Sequence, residues 1–242
     1  MMLRMLKQIL HTGLATEAYA DEEASVGLRG ELVIEAQGCD GCGNCALNCP
    51  TGALEAKRKR LKWERKKCLF CGLCVTQCQR CLSQTQNVAL AELGLRLEGE
   101  AGILLRKRIS NVLGRSLHVR HLDAGSCNAC DFEMSALGSP IYDLQQYGID
   151  FVASPRHADL LMVTGVVTKN LLEAIKMTYE ATPEPRLVMA VGACACSGKV
   201  FPKGYAVVGA LDDVLPVDIY VPGCPPSPSA LLQGLFMLLG KF

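Results

Sequence analysis

The apolar residues of this chain fall into two unlike patterns. Over residues 116–242, short apolar or β-branched runs at 116–122, 149–153, 160–164, 187–191 and 217–221 alternate with helix-length amphipathic stretches at 133–146, 168–182 and 229–239. Such alternation predicts a parallel sheet covered by helices on both faces, and ligands of such sheets lie beyond the carboxyl ends of the strands. At the other end, Leu3, Leu6, Ile9 and Leu10 share a helical face while Arg4, Lys7 and His11 lie on another. This predicts a short amphipathic helix over 1–11, either packed on its own chain or docked on a membrane subunit or lipid surface. Residues 12–30 are small, polar and acidic and read as a tether. From 89 to about 113 the pattern is leucine-rich and basic, with Leu93, Leu97, Leu104, Leu105, Ile109 and Val112. A connector with helical parts is expected there, broken by Gly94, Gly99 and Gly102. The expected units are 1–30, 31–88, 89–115 and 116–242.

Composition narrows the class. Of 242 residues, half are hydrophobic and a fifth charged, as in soluble globular proteins, and the net charge of +1 gives no global attraction to nucleic acid or membrane. Nothing at Met1 resembles a cleavable signal or a twin-arginine pair, so the fourteen cysteines are expected as thiols in a reducing cytoplasm. No apolar run approaches the roughly eighteen residues of a membrane span. Membrane association is therefore expected to be peripheral, on the cytoplasmic side, or through partners.

The cysteines carry the chemistry. Cys39-x2-Cys42-x2-Cys45-x3-Cys49-Pro50 is followed by a second run, Cys68-x2-Cys71-x2-Cys74-x3-Cys78. A thiolate every third residue lets one loop wrap three corners of an iron-sulfur cube, while the fourth cysteine reaches the other cube. The expected partition is Cys39, Cys42, Cys45 and Cys78 on one 4Fe-4S cluster, and Cys68, Cys71, Cys74 and Cys49 on the other. Structural zinc sites instead take four ligands, usually as two separated pairs. Cys81, three residues after Cys78, is a spare thiol able to compete as a ligand, and Gln79 stands where Pro usually follows the fourth cysteine.

Four further cysteines follow predicted strands. Cys127 and Cys130 lie in Gly125-Ser-Cys-Asn-Ala-Cys130, Cys194 in Gly192-Ala-Cys194, and Cys224 in Pro222-Gly-Cys-Pro-Pro226. Convergence of these loops at one sheet edge gives the ligand count of a third 4Fe-4S cluster, with neighbouring glycines suited to tight turns and N–H bonds to sulfur. Cys196 reads as a bystander. The basic run 57–67 reads as a solvated hairpin, with a docking patch for an acidic partner or lipid headgroups as the alternative. Its single Trp63 makes it a poor nucleic-acid platform. No dinucleotide fingerprint, Walker loop or nucleophile motif appears.

Residues 125–242 resemble the small-subunit family shared by nickel-iron hydrogenases and the cluster-bearing subunit of respiratory complex I, and look most like the small subunit of formate hydrogenlyase and related energy-converting hydrogenases. The stretches that carry this are Gly125–Cys130, Ser154-Pro-Arg-His-Ala-Asp159, Val163-Thr-Gly-Val-Val-Thr168, Gly192–Cys194 and Val221–Pro226. Residues 1 to about 85, including Leu6–Thr16, are similar to the ferredoxin-like subunit of the same complexes, so the chain reads as two electron-transfer subunits fused. The resemblance implies a flavodoxin-like second domain and makes the third cluster the proximal one, beside the active site of a separate large subunit. Complex I relatives carry adjacent cysteines at the first ligand position, whereas Cys127 and Cys130 here are separated by two residues, which favours the hydrogenase branch. Asp131 stands where many hydrogenase small subunits have Glu; it relays protons or bonds a helix N-terminus. Arg156 and His157 match the family and face the large subunit, tune the cluster, or form a surface pair.

The expected fold is an α+β two-cluster ferredoxin domain followed by an α/β flavodoxin-like domain with a parallel sheet. The expected function is electron transfer without bond-making chemistry: a subunit of a membrane-associated nickel-iron hydrogenase, relaying electrons through three 4Fe-4S clusters between a donor or acceptor protein and the large subunit, with a membrane subunit as further partner. The alternatives are a complex I-like subunit feeding a quinone-reducing partner and, from another class, a zinc-stabilised nucleic-acid binder.

Overall fold

The computed structural model describes residues 2–12, 29–35, 38–57, 60–113 and 116–240; apart from its ends, the expected tether lies outside the described residues. Helix α1 (Met2–Thr12) forms as its periodicity predicts, and Leu3, Leu6, Ile9 and Leu10 are all exposed. The apolar side of α1 is thus not covered by the described residues of its own chain.

The cysteine-rich region is built as two similar halves. Strand β1 (Leu32–Ile34) and helix α2 (Asn44–Leu47) precede a hairpin of β2 (Leu54–Lys57) and β3 (Arg60–Trp63), and helix α3 (Leu73–Gln77) and strand β4 (Leu82–Gln84) follow. β1 and β4 pair antiparallel with Leu32 opposite Gln84, and the hairpin pairs Leu54 with Trp63. Among the described residues the buried core beneath them is Leu32, Cys45, Leu54, Cys81 and Leu82, with Ile34, Leu61, Trp63 and Val75 partly buried against it. So little buried apolar area does not hold some fifty residues by itself, and small domains of this kind rely on metal or cross-links.

The basic run is only partly the expected solvated hairpin. Arg65 pairs with Glu31 at 3.2 Å, Lys67 with Glu64 at 2.6 Å, and the Lys66 ammonium sits 3.4 Å from the centroid of the Tyr220 ring. The turn 65–67 packs against the second domain, so this end of the run joins the two parts of the chain.

In chain order the second half continues with β5 (Glu92–Leu93), α4 (Gly99–Leu113), β6 (Leu117–Asp123), α5 (Ala129–Ala136), β7 (Ile149–Phe151), β8 (Leu160–Thr164) and β9 (Val167–Thr168). It closes with α6 (Leu172–Ala181), β10 (Leu187–Val191), α7 (Gly192–Ser197), β11 (Val207–Gly209), β12 (Ile219–Val221) and α8 (Pro228–Leu239). The main sheet has six strands in the order β5-β12-β10-β8-β6-β7, all parallel except the antiparallel edge strand β5. Leaving β5 aside, the strands run second-first-third-fourth-fifth, the flavodoxin order, whose switch point lies between β6 and β8. Every residue of β8 and β10 is buried, which explains why both read as unbroken apolar runs.

Two expectations need correction. The stretch 89–115 is not a spacer: β5 extends the sheet, Leu97, Ile109 and Leu113 enter the main core, and α4 packs on α8. Gly99 opens α4 and Gly102 lies within it, where an added Cβ would meet the Leu97 carbonyl oxygen at 2.3 Å. Gly102 therefore permits close approach rather than breaking the helix. The second correction concerns 133–146, where α5 starts earlier, at Ala129, and stops at Ala136 before Gly138-Ser139-Pro140. A separate short turn, Leu144–Tyr147, leads into β7.

Candidate metal centres

Three cysteine pairs enter helices in the same way. Between Cys42 and Cys45, Gly43 has φ 76° and ψ −3°; between Cys71 and Cys74, Gly72 has φ 77° and ψ 1°; between Cys127 and Cys130, Asn128 has φ 73° and ψ −6°. Each residue caps the helix that follows, α2, α3 and α5. A left-handed residue set against right-handed neighbours turns successive N–H groups inward, and such concavities bind anions, iron-sulfur groups among them. Asn is one of the few non-glycine residues that adopts this backbone readily. The two ferredoxin loops repeat the device one step earlier, at Gly41 (φ 76°) and Phe70 (φ 55°).

The structure brings Cys39, Cys42, Cys45 and Cys78 around one cavity of about 330 Å³, together with Cys81. Burial raises the Cys45 thiol above its ordinary range, with Cys78 and Cys39 adding to the rise. The hydrogen bond from Cys81 lowers Cys78, and the same bond with burial pushes Cys81 up to about 12.

Cys49, Cys68, Cys71 and Cys74 line a second, tighter cavity of about 20 Å³, roughly the space of one water. Cys74 is raised to about 11 by burial and then by the Cys68 charge. Burial acts against the Cys49 thiolate, but N–H groups of Thr51, Ala53 and Leu54 outweigh it and hold the thiol below its ordinary value, Ala53 donating to Sγ at 3.2 Å. Burial raises the Cys68 thiol above its ordinary value, opposed by the N–H groups of Phe70 and of the buried Trp63 indole.

Cys127, Cys130, Cys194 and Cys224 come from three loops at the carboxyl edge of the main sheet. Burial raises Cys130 to about 12, with the charges of Cys194, Cys224 and Cys127 contributing, and raises Cys194 to about 11 with help from Cys224 and Cys127. The loops are tied together: Ala193 N–H donates to the Gly223 carbonyl at 2.7 Å, and Asp123 accepts from the N–H groups of Gly125 at 2.7 Å and Ser126 at 2.6 Å. Gly192, with φ +83°, leaves a gap that an added Cβ would fill, 2.7 Å from Cys130 Sγ. Cys127 and Cys224 are exposed. Cys196 is buried, its Sγ donating to the carbonyls of Ala190 and Val221.

Asp131 does not act as a helix cap. Its Oδ2 accepts from Ser126 Oγ at 2.7 Å, and its Oδ1 lies 2.9 Å from both Thr164 Oγ1 and His121 Nε2. Sequence reasoning missed His121, Thr164 and Ser126; the one signal was a threonine closing the apolar run 160–163 just before Gly165. Arg156 and His157 lie before β8 at the amino-terminal edge, exposed. The five residues of β8, about 16 Å of strand, lie between them and the carboxyl edge that carries the third site.

Among the described residues no three His, Cys, Asp or Glu side chains are arranged to hold a single metal ion. At the first site, four thiols about a cavity of about 330 Å³ instead fit a polynuclear iron-sulfur group, whereas the second cavity has to widen to take one. Fold and site together define an iron-sulfur electron carrier in which a ferredoxin-like region precedes a flavodoxin-ordered domain.

Comparison with known proteins gives the same division. Residues 127–238 match the model of the NADH ubiquinone oxidoreductase 20 kDa subunit, and residues 31–79 match a 4Fe-4S dicluster domain. The chain is 48% identical over 140 residues, 57% of its length and 84% of the relative's, to the probable membrane-bound hydrogenase subunit mbhJ of Pyrococcus furiosus. It is 54% identical over 112 residues, 46% of this chain and 65% of the relative, to an NADH-quinone oxidoreductase subunit of Citrifermentans bemidjiense. With formate hydrogenlyase subunit 7 of Escherichia coli it shares 44% identity over 126 residues, 52% of this chain and 49% of that one. The chain belongs to the 20 kDa subunit family of NADH ubiquinone oxidoreductase, with a 4Fe-4S dicluster region fused ahead of it.

Proposed function

We propose that this chain is the electron-transfer subunit of a membrane-associated hydrogenase-type complex, carrying three 4Fe-4S clusters. The observation that carries the reading is the gathering of Cys127, Cys130, Cys194 and Cys224 from three loops at one sheet edge, beside a ferredoxin-like region with two four-cysteine cavities. The proposed ligands are Cys39, Cys42, Cys45 and Cys78 at the first site, Cys49, Cys68, Cys71 and Cys74 at the second, and Cys127, Cys130, Cys194 and Cys224 at the third. Bound there, such clusters pass one electron at a time.

The chain's own residues set the path. Turn 65–67, which leads directly into Cys68, packs on α7, which carries Cys194, so the second site is the neighbour of the third. Lys66 over Tyr220 fastens that contact, and Tyr220 is held in turn by Asp212 at 3.2 Å. At Cys49 the N–H groups of Thr51, Ala53 and Leu54 hold the thiol below its ordinary value against burial, which favours the thiolate. The third site is the exit toward a large subunit: its edge exposes Cys127 and Cys224, with Phe132 of α5 72% exposed beside Cys130. Exposed α1 is the proposed contact to a membrane subunit or bilayer surface on the cytoplasmic side; no helix among the described residues is long and apolar enough to cross a membrane.

A second reading, a complex I-like subunit serving a quinone-reducing partner, is favoured by the 54% identity to an NADH-quinone oxidoreductase subunit. The Cys127-x2-Cys130 spacing favours the first. Anaerobic purification of the complex tests both. About twelve irons per chain with matching acid-labile sulfide supports three clusters, and about eight removes one of them. Cys127→Ser should lose the third site's signal alone. Nickel in the co-purified large subunit selects the hydrogenase, and its absence selects the quinone-reducing complex.

A further inference from the structure

The first ferredoxin site holds five thiols where four ligands suffice. Cys81 is 1% exposed, lines the same cavity as Cys39, Cys42, Cys45 and Cys78, and places its Sγ 3.0 Å from that of Cys78. Its position is fixed from two sides. The Cys81 carbonyl accepts from Glu35 N–H at 2.9 Å, which ties the residue to the end of β1. Gly38 packs so closely over the turn that an added Cβ would lie 2.3 Å from the Arg80 carbonyl oxygen and 3.3 Å from Cys81 Cβ.

The other half of the ferredoxin region shows what is unusual. Cys49 follows α2 as Cys78 follows α3, each four residues beyond the preceding cysteine of its run. Cys49 Sγ accepts a backbone N–H from Ala53, four residues on. At the matching place Leu82 gives its N–H to the Cys78 carbonyl at 3.1 Å rather than to the sulfur. The side-chain partner of Cys78 Sγ is the sulfur of Cys81, at 3.0 Å.

We propose that Cys78 and Cys81 share the fourth corner of the first site: one sulfur binds iron while the other, as a thiol, hydrogen-bonds it, and either can take the bond. This rests on the reading of that cavity as a 4Fe-4S site. In the exchange the iron bond to Cys78 breaks as the one to Cys81 forms, and the Cys81 thiol proton passes to the Cys78 sulfur. No electron moves and no proton leaves. The hydrogen bond also stabilises negative charge on the ligating sulfur, which raises the potential of the site.

The test uses the full chain, loaded anaerobically with iron and sulfide, with iron counted and the reduced sites followed by electron paramagnetic resonance. Cys78→Ser and Cys81→Ser should each keep about twelve irons, the first with a shifted first-site signal, and the double variant should fall to about eight. Loss of about four irons from either single variant alone overturns the sharing, as does full loading of the double variant. Should the double variant not fold, Cys81→Ala decides: it should lower the first site's midpoint potential, while Cys81→Ser, retaining an O–H donor, should restore most of it. An unchanged potential in Cys81→Ala refutes the hydrogen bond. Cys42→Ser separates this idea from the reading beneath it, because Cys42 has no spare thiol in its own turn. If Cys42→Ser left the iron count intact, the cluster assignment itself would fall.

Discussion

Gly192→Ala is the sharpest perturbation the third site offers. A Cβ at this position would lie 2.7 Å from Cys130 Sγ, against the 3.4 Å at which ordinary contact begins, so one of them must move by about 0.7 Å (3.4 − 2.7). The backbone has little room to give, because the next N–H is bonded to Gly223 O at 2.7 Å and this bond ties the Cys194 loop to the Cys224 loop. Movement therefore falls on the Cys130 sulfur, and it exceeds the roughly 0.5 Å tolerance of a preorganised site. The left-handed backbone adds about 1–2 kcal/mol of strain for any residue but glycine. The two costs can be told apart with Gly99→Ala, which carries the same kind of strain at φ +71° with nothing within 4 Å. Iron counting and low-temperature electron paramagnetic resonance on anaerobic protein provide the assay. Gly192→Ala should drop from about twelve irons to about eight and lose only the third signal, while Gly99→Ala keeps all three and loses about 1 kcal/mol of stability. Full iron and an unaltered third signal in Gly192→Ala would refute the placement of Cys130 as a ligand against this glycine.

Four further outcomes follow from the same geometry. Arg96→Met should destabilise the fold by about 3 kcal/mol, the low end for a broken buried pair because Arg96 is one-third exposed, whereas Asp218→Asn keeps an acceptor for Val188 N–H and should cost less; equal denaturation midpoints would contradict the pairing at 2.8 Å. Lys66→Met should cost about 1 kcal/mol and loosen hydrogen-exchange protection of α7 and turn 65–67; unchanged protection would detach Lys66 from the joint. The metal-free chain should lose stability as pH rises from about 9. Its unfolded thiols ionise near their ordinary value while folded Cys194 and Cys130 hold their protons to about 11 and about 12, so the unfolded state binds fewer protons in that window. Cys130→Ser should flatten this fall in melting temperature, and an identical pH profile would count against the burial of Cys130. Deleting residues 1–12 should weaken membrane attachment yet leave all irons in place, since no cysteine lies there; full co-purification with membranes would make α1 a packing element.

Features that depend on local spacing were legible along the chain. The runs at Leu160–Thr164 and Leu187–Val191 form strands with the predicted bounds, because a strand buried on both faces has no polar position to blur its ends. A three-residue repeat likewise sets which thiols one turn presents together, and the cysteines lining each ferredoxin cavity follow that spacing. Tertiary structure decided the rest. Nothing local says that residues 92–93 add an edge strand to a sheet begun later in the chain, or that Arg96 reaches Asp218; these depend on long-range closure. The Ala53 N–H on Cys49 and the Cys81 thiol on Cys78 distinguish two halves whose cysteine spacings are identical. Which end of the sheet Arg156 and His157 occupy is set by strand direction, because a motif records only order along the chain. His121, Thr164 and Ser126 meet Asp131 across three segments, a convergence that spacing cannot encode because it exists only once β6 and β8 lie side by side.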